Sequence, residues 1–177
     1  MEKNISPAKS ALLYGVLFGI IMIFEFVIMY VIGMKSLVNS NIGLIVNIAN
    51  YLVLPILFIF LGCQNYKNKI NNGFIILGES LKVGISTTFM AAFIYATFNV
   101  LFNILIPDFI DEMIAISKEA MISKTPNLTP EQLEEGIIMM KKFMNPFIVF
   151  PVTLAMYSFF GLIYSLIIGS IVKNEKS

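Results

Sequence analysis

Four long apolar runs limit what this 177-residue sequence can fold into. They cover residues 11–32, 42–61, 83–106 and 147–172. Each is close to or longer than the roughly 20 residues that a helix needs to cross about 30 Å of hydrocarbon. Backbone N–H and C=O groups must be paired in hydrocarbon, and these runs lack the polar alternation of barrel strands. The sequence therefore predicts an all-α integral membrane four-helix bundle, with residues 1–177 forming one membrane domain.

The composition supports a lipid environment and excludes several function classes. Hydrophobic residues make up 58% and charged residues 13% of the chain, and the charged share is roughly half that of an ordinary soluble domain. A soluble domain of this size cannot bury so much apolar surface. The formal net charge of +1 gives no basic excess that could neutralise a phosphate backbone. We therefore expect the lipid bilayer, and no nucleic acid, as a partner.

The ligand inventory argues against catalysis and metal binding. The chain has no histidine, and Cys63 is its one cysteine. These counts exclude the usual zinc and iron ligand sets, a Cys/His nucleophile pair and an internal disulfide. The sequence also shows no phosphate-binding loop and no soluble domain that could house an active site. We predict a non-enzymatic protein with no metal and no cofactor.

Lysines indicate how the spans are oriented. They are concentrated before the first span, between the second and third, and after the fourth: Lys3, Lys9, Lys67, Lys69, Lys82, Lys173 and Lys176. The opposite side has Lys35 in a short loop and a long connection in which acidic residues dilute the lysines. The positive-inside bias therefore predicts that both termini face the cytoplasm. The segment "QNYKNKINNG", residues 64–73, is predicted to be a tight loop.

The connection between the third and fourth spans is predicted to form an external helical hairpin, about residues 108–145. "DFIDEMIAISKEAMISK" carries an apolar helical stripe. In the second helix Thr129 is the expected N-cap, Pro130 the first helical residue, and Gln132 the partner in a capping box. One face of this helix is apolar, and we predict that it binds a partner: Leu133, Ile137, Met140 and Met144.

The segment before the third span is amphipathic. Asn72 is the expected cap of a helix whose apolar residues would lie in the headgroup region. The sequence leaves open whether residues 74–82 form a separate interfacial helix or continue into the span.

Three stretches resemble one known family. They are "GFIILGESLKVG" at the entry to the third span, "NLTPEQLEEG" in the hairpin and "GLIYSLIIGSIVKN" at the end of the fourth span. Together with a third span that ends at Pro107, they resemble the domain-of-unknown-function 4199 family of four-pass membrane proteins from Bacteroidota. The resemblance covers nearly the whole chain. It implies a bacterial inner membrane and a periplasmic hairpin, and it supplies no activity, substrate or catalytic residue.

One carboxylate lies inside the first span, in "IMIFEFVIMY". Glu25 is eight residues below Gly33, which places it about 12 Å along the helix from that end. The other spans carry polar side chains at a similar or slightly shallower depth. The sequence thus predicts an intramembrane polar layer made of Glu25, Asn47, Asn50, Asn99, Asn103, Thr153 and Tyr157.

The charge state of Glu25 follows from the membrane. A charge in mid-span costs roughly 2.5 to 3.5 kcal/mol on insertion scales, and no basic residue lies in a span near this depth. We therefore predict a neutral, protonated Glu25 that faces the bundle interior and is hydrogen-bonded to Asn or Tyr side chains. The favoured interpretation is that it holds helices together. The alternative is a proton carrier or ion site.

Small residues indicate where helices approach closely. Gly15 and Gly19 form a small-xxx-small motif in the first span, and Gly161 is a further packing residue in the fourth. Packing within the chain is favoured, and a homodimer is the alternative. As a function we predict an accessory or interaction subunit of a membrane assembly, with a protein partner or a second copy of the chain in the membrane. The alternative is a proton-coupled small-molecule carrier or small channel that uses Glu25, with Asn50 and Asn99 as ligands.

Overall fold

A computed structural model of the protein describes residues 5–35, 41–125 and 127–175. Across these residues the chain forms six helices and no strand, which confirms the predicted all-α class. The helices are α1 Pro7–Ile32, α2 Ile42–Ile70, α3 Leu77–Leu105, α4 Asp108–Lys124, α5 Pro130–Met144 and α6 Pro146–Val172. The predictions for Lys3 and Lys176 lie outside the described residues.

Helices α1, α2, α3 and α6 are the four candidate membrane spans found in the described part of the chain. They have 26, 29, 29 and 27 residues, so each is about 40 Å long and exceeds the hydrocarbon thickness of about 30 Å. Their ends therefore reach the headgroup regions. The structure confirms the membrane helical bundle.

Helix α2 extends further than predicted. It ends at Ile70 in a π-helical segment, Tyr66–Ile70, so Lys67 and Lys69 lie on the helix and not in a loop. The loop prediction is therefore wrong for residues 64–70. The packing explains the difference, because Tyr66 is buried against the bundle and Lys67 Nζ donates to the Val172 carbonyl, 2.9 Å away at the end of α6.

The turn between α2 and α3 is short, and α3 is one continuous helix. Asn72 and Gly73 have φ values of 53° and 89°, so Asn72 is a turn residue and not the predicted helix cap. The backbone N–H of Ile76 donates to Glu79 Oε2 at 3.0 Å, and the Tyr66 hydroxyl donates to Glu79 Oε1 at 2.9 Å. The helix that begins here runs straight into the span, so residues 74–82 do not form a separate interfacial helix.

Helix α3 lies against both α1 and α6 through small residues. A Cβ atom added at Gly15 would be 2.6 Å from the Thr87 carbonyl oxygen, and Gly19 faces the same helix one turn along. Gly161 of α6 lies against Gly84 of α3, because a Cβ atom added at Gly161 would be 3.1 Å from the Gly84 carbonyl oxygen. At Gly15, Gly19 and Gly161 the space beside the glycine is therefore occupied by another helix of the same chain.

The hairpin helices begin as the sequence indicates. Thr129 Oγ1 accepts from the Gln132 backbone N–H at 3.2 Å, and Gln132 Oε1 accepts from the Thr129 N–H at 3.1 Å, which is the predicted capping box. Helix α5 packs on α4 where Gly136 meets the Met121 side chain. Helices α4 and α5 therefore form a hairpin.

Aromatic rings fasten the hairpin to the bundle. Phe26 of α1 is in edge contact with Phe102 of α3 and with Phe109 of α4, at centroid distances of 4.9 and 5.7 Å. An exposed ion pair between Lys35 and Glu119, 2.9 Å apart, links the chain after α1 to α4. The first turn of α4 is thus held in a well-packed position.

Candidate functional site

The buried acid of the first span contacts the second span. Asn50 Nδ2 of α2 donates to Glu25 Oε2 of α1 at 2.6 Å. Both residues are half-buried, and the bond crosses between two membrane helices. The Glu25 side chain therefore points at another helix, which is the orientation that the sequence predicts.

A small polar cavity surrounds this bond. Its volume is about 100 Å³, and its lining comes from α1, α2, α3 and α6: Met22, Glu25, Phe26, Met29, Val46, Asn47, Asn50, Tyr51, Tyr95 and Tyr157. The polar side chains in this lining are Glu25, two asparagines and three tyrosines. We call this space the Glu25 cavity.

The predicted polar layer is only partly assembled at this cavity. Glu25, Asn47, Asn50 and Tyr157 line it, whereas Asn99, Asn103 and Thr153 do not. Asn103 Nδ2 instead donates to Asn99 Oδ1 at 3.0 Å and to the Asn99 carbonyl at 2.8 Å, so these two residues bond along α3 itself, and Asn103 Oδ1 has no partner among the described residues. Depth alone does not bring side chains together, because each helix also has to present the right face.

Two tyrosines of the cavity are absent from the predicted layer. Tyr95 lies one turn before Asn99 on the same face of α3, and Tyr51 follows Asn50 directly. The spacing of four between Tyr95, Asn99 and Asn103 was the available signal for the first. Tyr51 had no such signal, because in a regular α-helix adjacent residues point in different directions.

The reason that Asn50 and Tyr51 both reach the cavity is local helix geometry. Residues Ala49–Val53 form a π-helical segment, in which the Leu54 N–H bonds to the Ala49 carbonyl. Pro55 has no N–H, so the Tyr51 carbonyl lacks its α-helical donor. The Tyr164 hydroxyl of α6 donates to that carbonyl at 2.7 Å. Such π segments occur frequently at functional sites.

We expect Tyr164→Phe to destabilise the folded chain by about 1 to 2 kcal/mol, because it leaves the Tyr51 carbonyl without its donor. In a Pro55→Ala background the alanine N–H can supply an α-helical hydrogen bond to the same carbonyl. The cost of Tyr164→Phe should therefore shrink in that background. Thermal unfolding of the four proteins in detergent measures this coupling.

An equal cost of Tyr164→Phe in both backgrounds would contradict the assignment of this hydrogen bond. Tyr164 also stacks on Phe160 at a centroid distance of 6.0 Å. Because phenylalanine keeps the ring, that contact is retained in the variant, and the measured difference reports on the hydroxyl.

Comparison with known proteins adds family membership to this geometry. No curated protein and no solved structure matches the chain. The sequence model of one family, described as Protein of unknown function (DUF4199), matches residues 13–174. That match includes most of α1, the whole of the other five helices and every residue of the Glu25 cavity. The chain therefore belongs to the DUF4199 family.

Proposed function

We propose that the chain is a non-enzymatic accessory or interaction subunit of an assembly in the bacterial inner membrane. In this proposal both termini are cytoplasmic and the α4–α5 hairpin is periplasmic, which agrees with the lysines at the two ends of the bundle. The observation that carries the proposal is apolar surface on the hairpin, outside the four candidate spans.

The exposed apolar side chains of α5 lie on a helix that is otherwise rich in charge. Met139 and Phe143 are four residues apart, hence on one face, and they are 60% and 59% exposed. Apolar groups exposed outside the hydrocarbon region indicate a contact with another molecule. We call Met139 and Phe143 the hairpin surface.

The hairpin surface differs from the face that the periodicity predicts. Leu133, Ile137, Met140 and Met144 are half-buried. Leu133 and Ile137 line a cavity of about 380 Å³ together with Lys118 of α4. Gly136, next to Ile137, meets the Met121 side chain of α4, so this side of α5 faces α4. The proposal keeps the hairpin as the interacting element and moves the contact to the exposed residues.

The contacts that attach the hairpin to the rest of the chain also support a binding role. Phe109 packs on Phe26, and Glu119 pairs with Lys35, so α4 is attached to the bundle at two points. A surface that is already ordered loses less conformational entropy on binding than a flexible one. A membrane protein partner with its own apolar surface at the same height would fit this arrangement.

Photocrosslinking tests the proposal. A photoreactive amino acid at Met139 or Phe143 should give one discrete adduct with a different membrane protein in native membranes. Glu131, which is exposed in the first turn of the same helix, is the matched control and should give little or none. Identification of the adduct by mass spectrometry completes the experiment. Adducts with lipid alone, or equal yields at Glu131, would contradict an accessory role, and adducts with the same chain would indicate a homo-oligomer.

The Glu25 cavity favours a second candidate, a proton-coupled carrier or small channel. An acid inside a membrane bundle is typical of such pathways. The cavity of about 100 Å³ is well below the roughly 300 to 1,000 Å³ of sites for small organic ligands. Asn99, the second proposed ligand, does not line it. The geometry therefore favours a proton or a small ion over an organic substrate.

A further inference from the structure

We propose that the Glu25 cavity binds a monovalent cation of the size of sodium, between the Glu25 carboxylate and the Asn50 amide oxygen. This inference does not depend on the accessory role, because a bound ion could stabilise the bundle whether or not the hairpin has a partner. It assigns a ligand to a polar cavity that packing between the helices does not explain.

The charge of an ionised Glu25 has to be balanced inside the span. An ionised carboxylate inside a span needs a counter-charge, and the lining of the cavity contains no lysine or arginine. Two solutions exist, a proton on Glu25 or a cation beside it. The Asn50 amide donates to Glu25 Oε2 at 2.6 Å, which holds the carboxyl group at the cavity. A cation would at the same time bind the Asn50 amide oxygen, for which the described residues offer no donor.

One amide oxygen at the cavity lacks a hydrogen-bond donor. Asn50 Oδ1 is buried and has no hydrogen-bond partner among the described residues. A buried acceptor without a donor is unfavourable, because it has given up its hydrogen bonds to water. A cation would be bound by this oxygen and by the carboxylate at once, because Asn50 donates to Glu25 through its other amide atom. Carboxylate and amide oxygens are ligands for hard cations.

The lining of the cavity favours a monovalent cation over a divalent one. A calcium ion in a protein is typically bound by roughly 6 to 8 oxygen ligands, several of which are carboxylate oxygens. Among the described residues, the lining of the cavity supplies one carboxylate, that of Glu25. The described residues also contain no group of three or more His, Cys, Asp or Glu side chains that could hold a metal ion. One carboxylate balances one positive charge. A volume of about 100 Å³ accommodates a small ion with about two waters, each of which occupies roughly 30 Å³.

Ion-dependent thermal unfolding tests the proposal. The purified chain in detergent is heated in sodium chloride and in N-methylglucamine chloride at equal ionic strength. Sodium at about ten times its dissociation constant should raise the Tm by roughly 3 to 6 °C. The Glu25→Gln variant should lose this shift and still fold, because glutamine keeps the shape and hydrogen-bonding capacity of the side chain.

Glu79→Gln is the matched control. Glu79 is also hydrogen-bonded between two spans, to the Tyr66 hydroxyl at 2.9 Å, but it does not line the cavity. The control should keep the full sodium shift. A shift that survives in Glu25→Gln, or that N-methylglucamine produces equally, would overturn the proposal. Stabilisation by lowered pH alone, with no sodium effect, would overturn it in favour of a proton on Glu25.

Direct binding provides a second readout if a variant folds poorly. Radioactive sodium should bind to the purified wild-type chain at one ion per chain and be displaced by unlabelled sodium. Asn50→Ser replaces the amide by a shorter side chain whose hydroxyl cannot bond to Glu25 and reach the position of the amide oxygen at once, so it should weaken sodium binding. Unchanged sodium affinity in Asn50→Ser, or no binding to the wild-type chain, would contradict the site.

Discussion

Gly84→Val is expected to lower the stability of the bundle by about 3 kcal/mol, the upper end of overpacking effects, and the Tm in detergent by roughly 6 to 12 °C. A Cβ atom at this position would lie 2.8 Å from Ser165 Oγ and 3.1 Å from the Gly161 carbonyl oxygen. Backbone cannot yield as a flexible side chain can, so α3 and α6 would have to separate. Loss of a single symmetric peak in size-exclusion chromatography should accompany the lower Tm.

Gly78→Val is the matched control on the same helix. Nothing lies within 4 Å of a Cβ atom added at Gly78, which is the second residue of α3. The two variants share the change in residue type and differ in the neighbouring helix, so Gly78→Val should unfold close to the wild-type temperature. Equal destabilisation of both would mean that helix propensity, and not the contact between α3 and α6, explains the effect.

The four spans were predictable because the membrane leaves the backbone few options. Long apolar runs have to be helices in lipid, and the structure has a helix at each run. The ends were less predictable. Helix α2 continues past its apolar run to Ile70 because Tyr66 is buried and Lys67 bonds to the carbonyl end of α6. Both contacts join residues that are distant in sequence, so periodicity could not indicate them.

The hairpin shows which part of a pattern is local. The capping box of Thr129 and Gln132 forms as predicted, because its two hydrogen bonds join residues three apart. The apolar stripe of α5 was also correctly recognised as one face. What that face contacts could not be read from the stripe. It is half-buried within the hairpin, and Met139 and Phe143 remain exposed.

The candidate site was predictable in its centre and not at its margins. Glu25, Asn50 and Asn99 were predicted to lie at one depth, and the structure joins the first two by a hydrogen bond. Asn99 and Asn103 have a similar depth, but they bond to each other along α3. Tyr51 enters the cavity from the π-helical segment of α2, and its carbonyl accepts a hydrogen bond from Tyr164 on another helix. Helix rotation and local helix type are set by tertiary contacts, which a depth count does not contain.

Phe26→Ala is expected to destabilise the chain by about 3 to 5 kcal/mol, the usual range for a buried phenylalanine. Phe26 is 7% exposed and makes edge contacts with four aromatic rings: Tyr95, Phe98, Phe102 and Phe109. Each such pair contributes about 0.5 to 1.5 kcal/mol beyond its buried area. Because Phe109 lies in the first turn of α4, the variant should also loosen the hairpin.

Hydrogen exchange measured by mass spectrometry separates these two effects of Phe26→Ala. Exchange in α4 should accelerate more than exchange in α6, which does not contribute a ring to the contacts of Phe26. Phe24→Ala, two residues earlier on the same helix, removes a ring that is 65% exposed. It should change the Tm little, because a lipid-facing ring exchanges one apolar neighbour for another. Equal exchange and Tm in the two variants would contradict an aromatic attachment of the hairpin. In that case the hairpin surface would also lose the rigid support on which its proposed binding role partly rests.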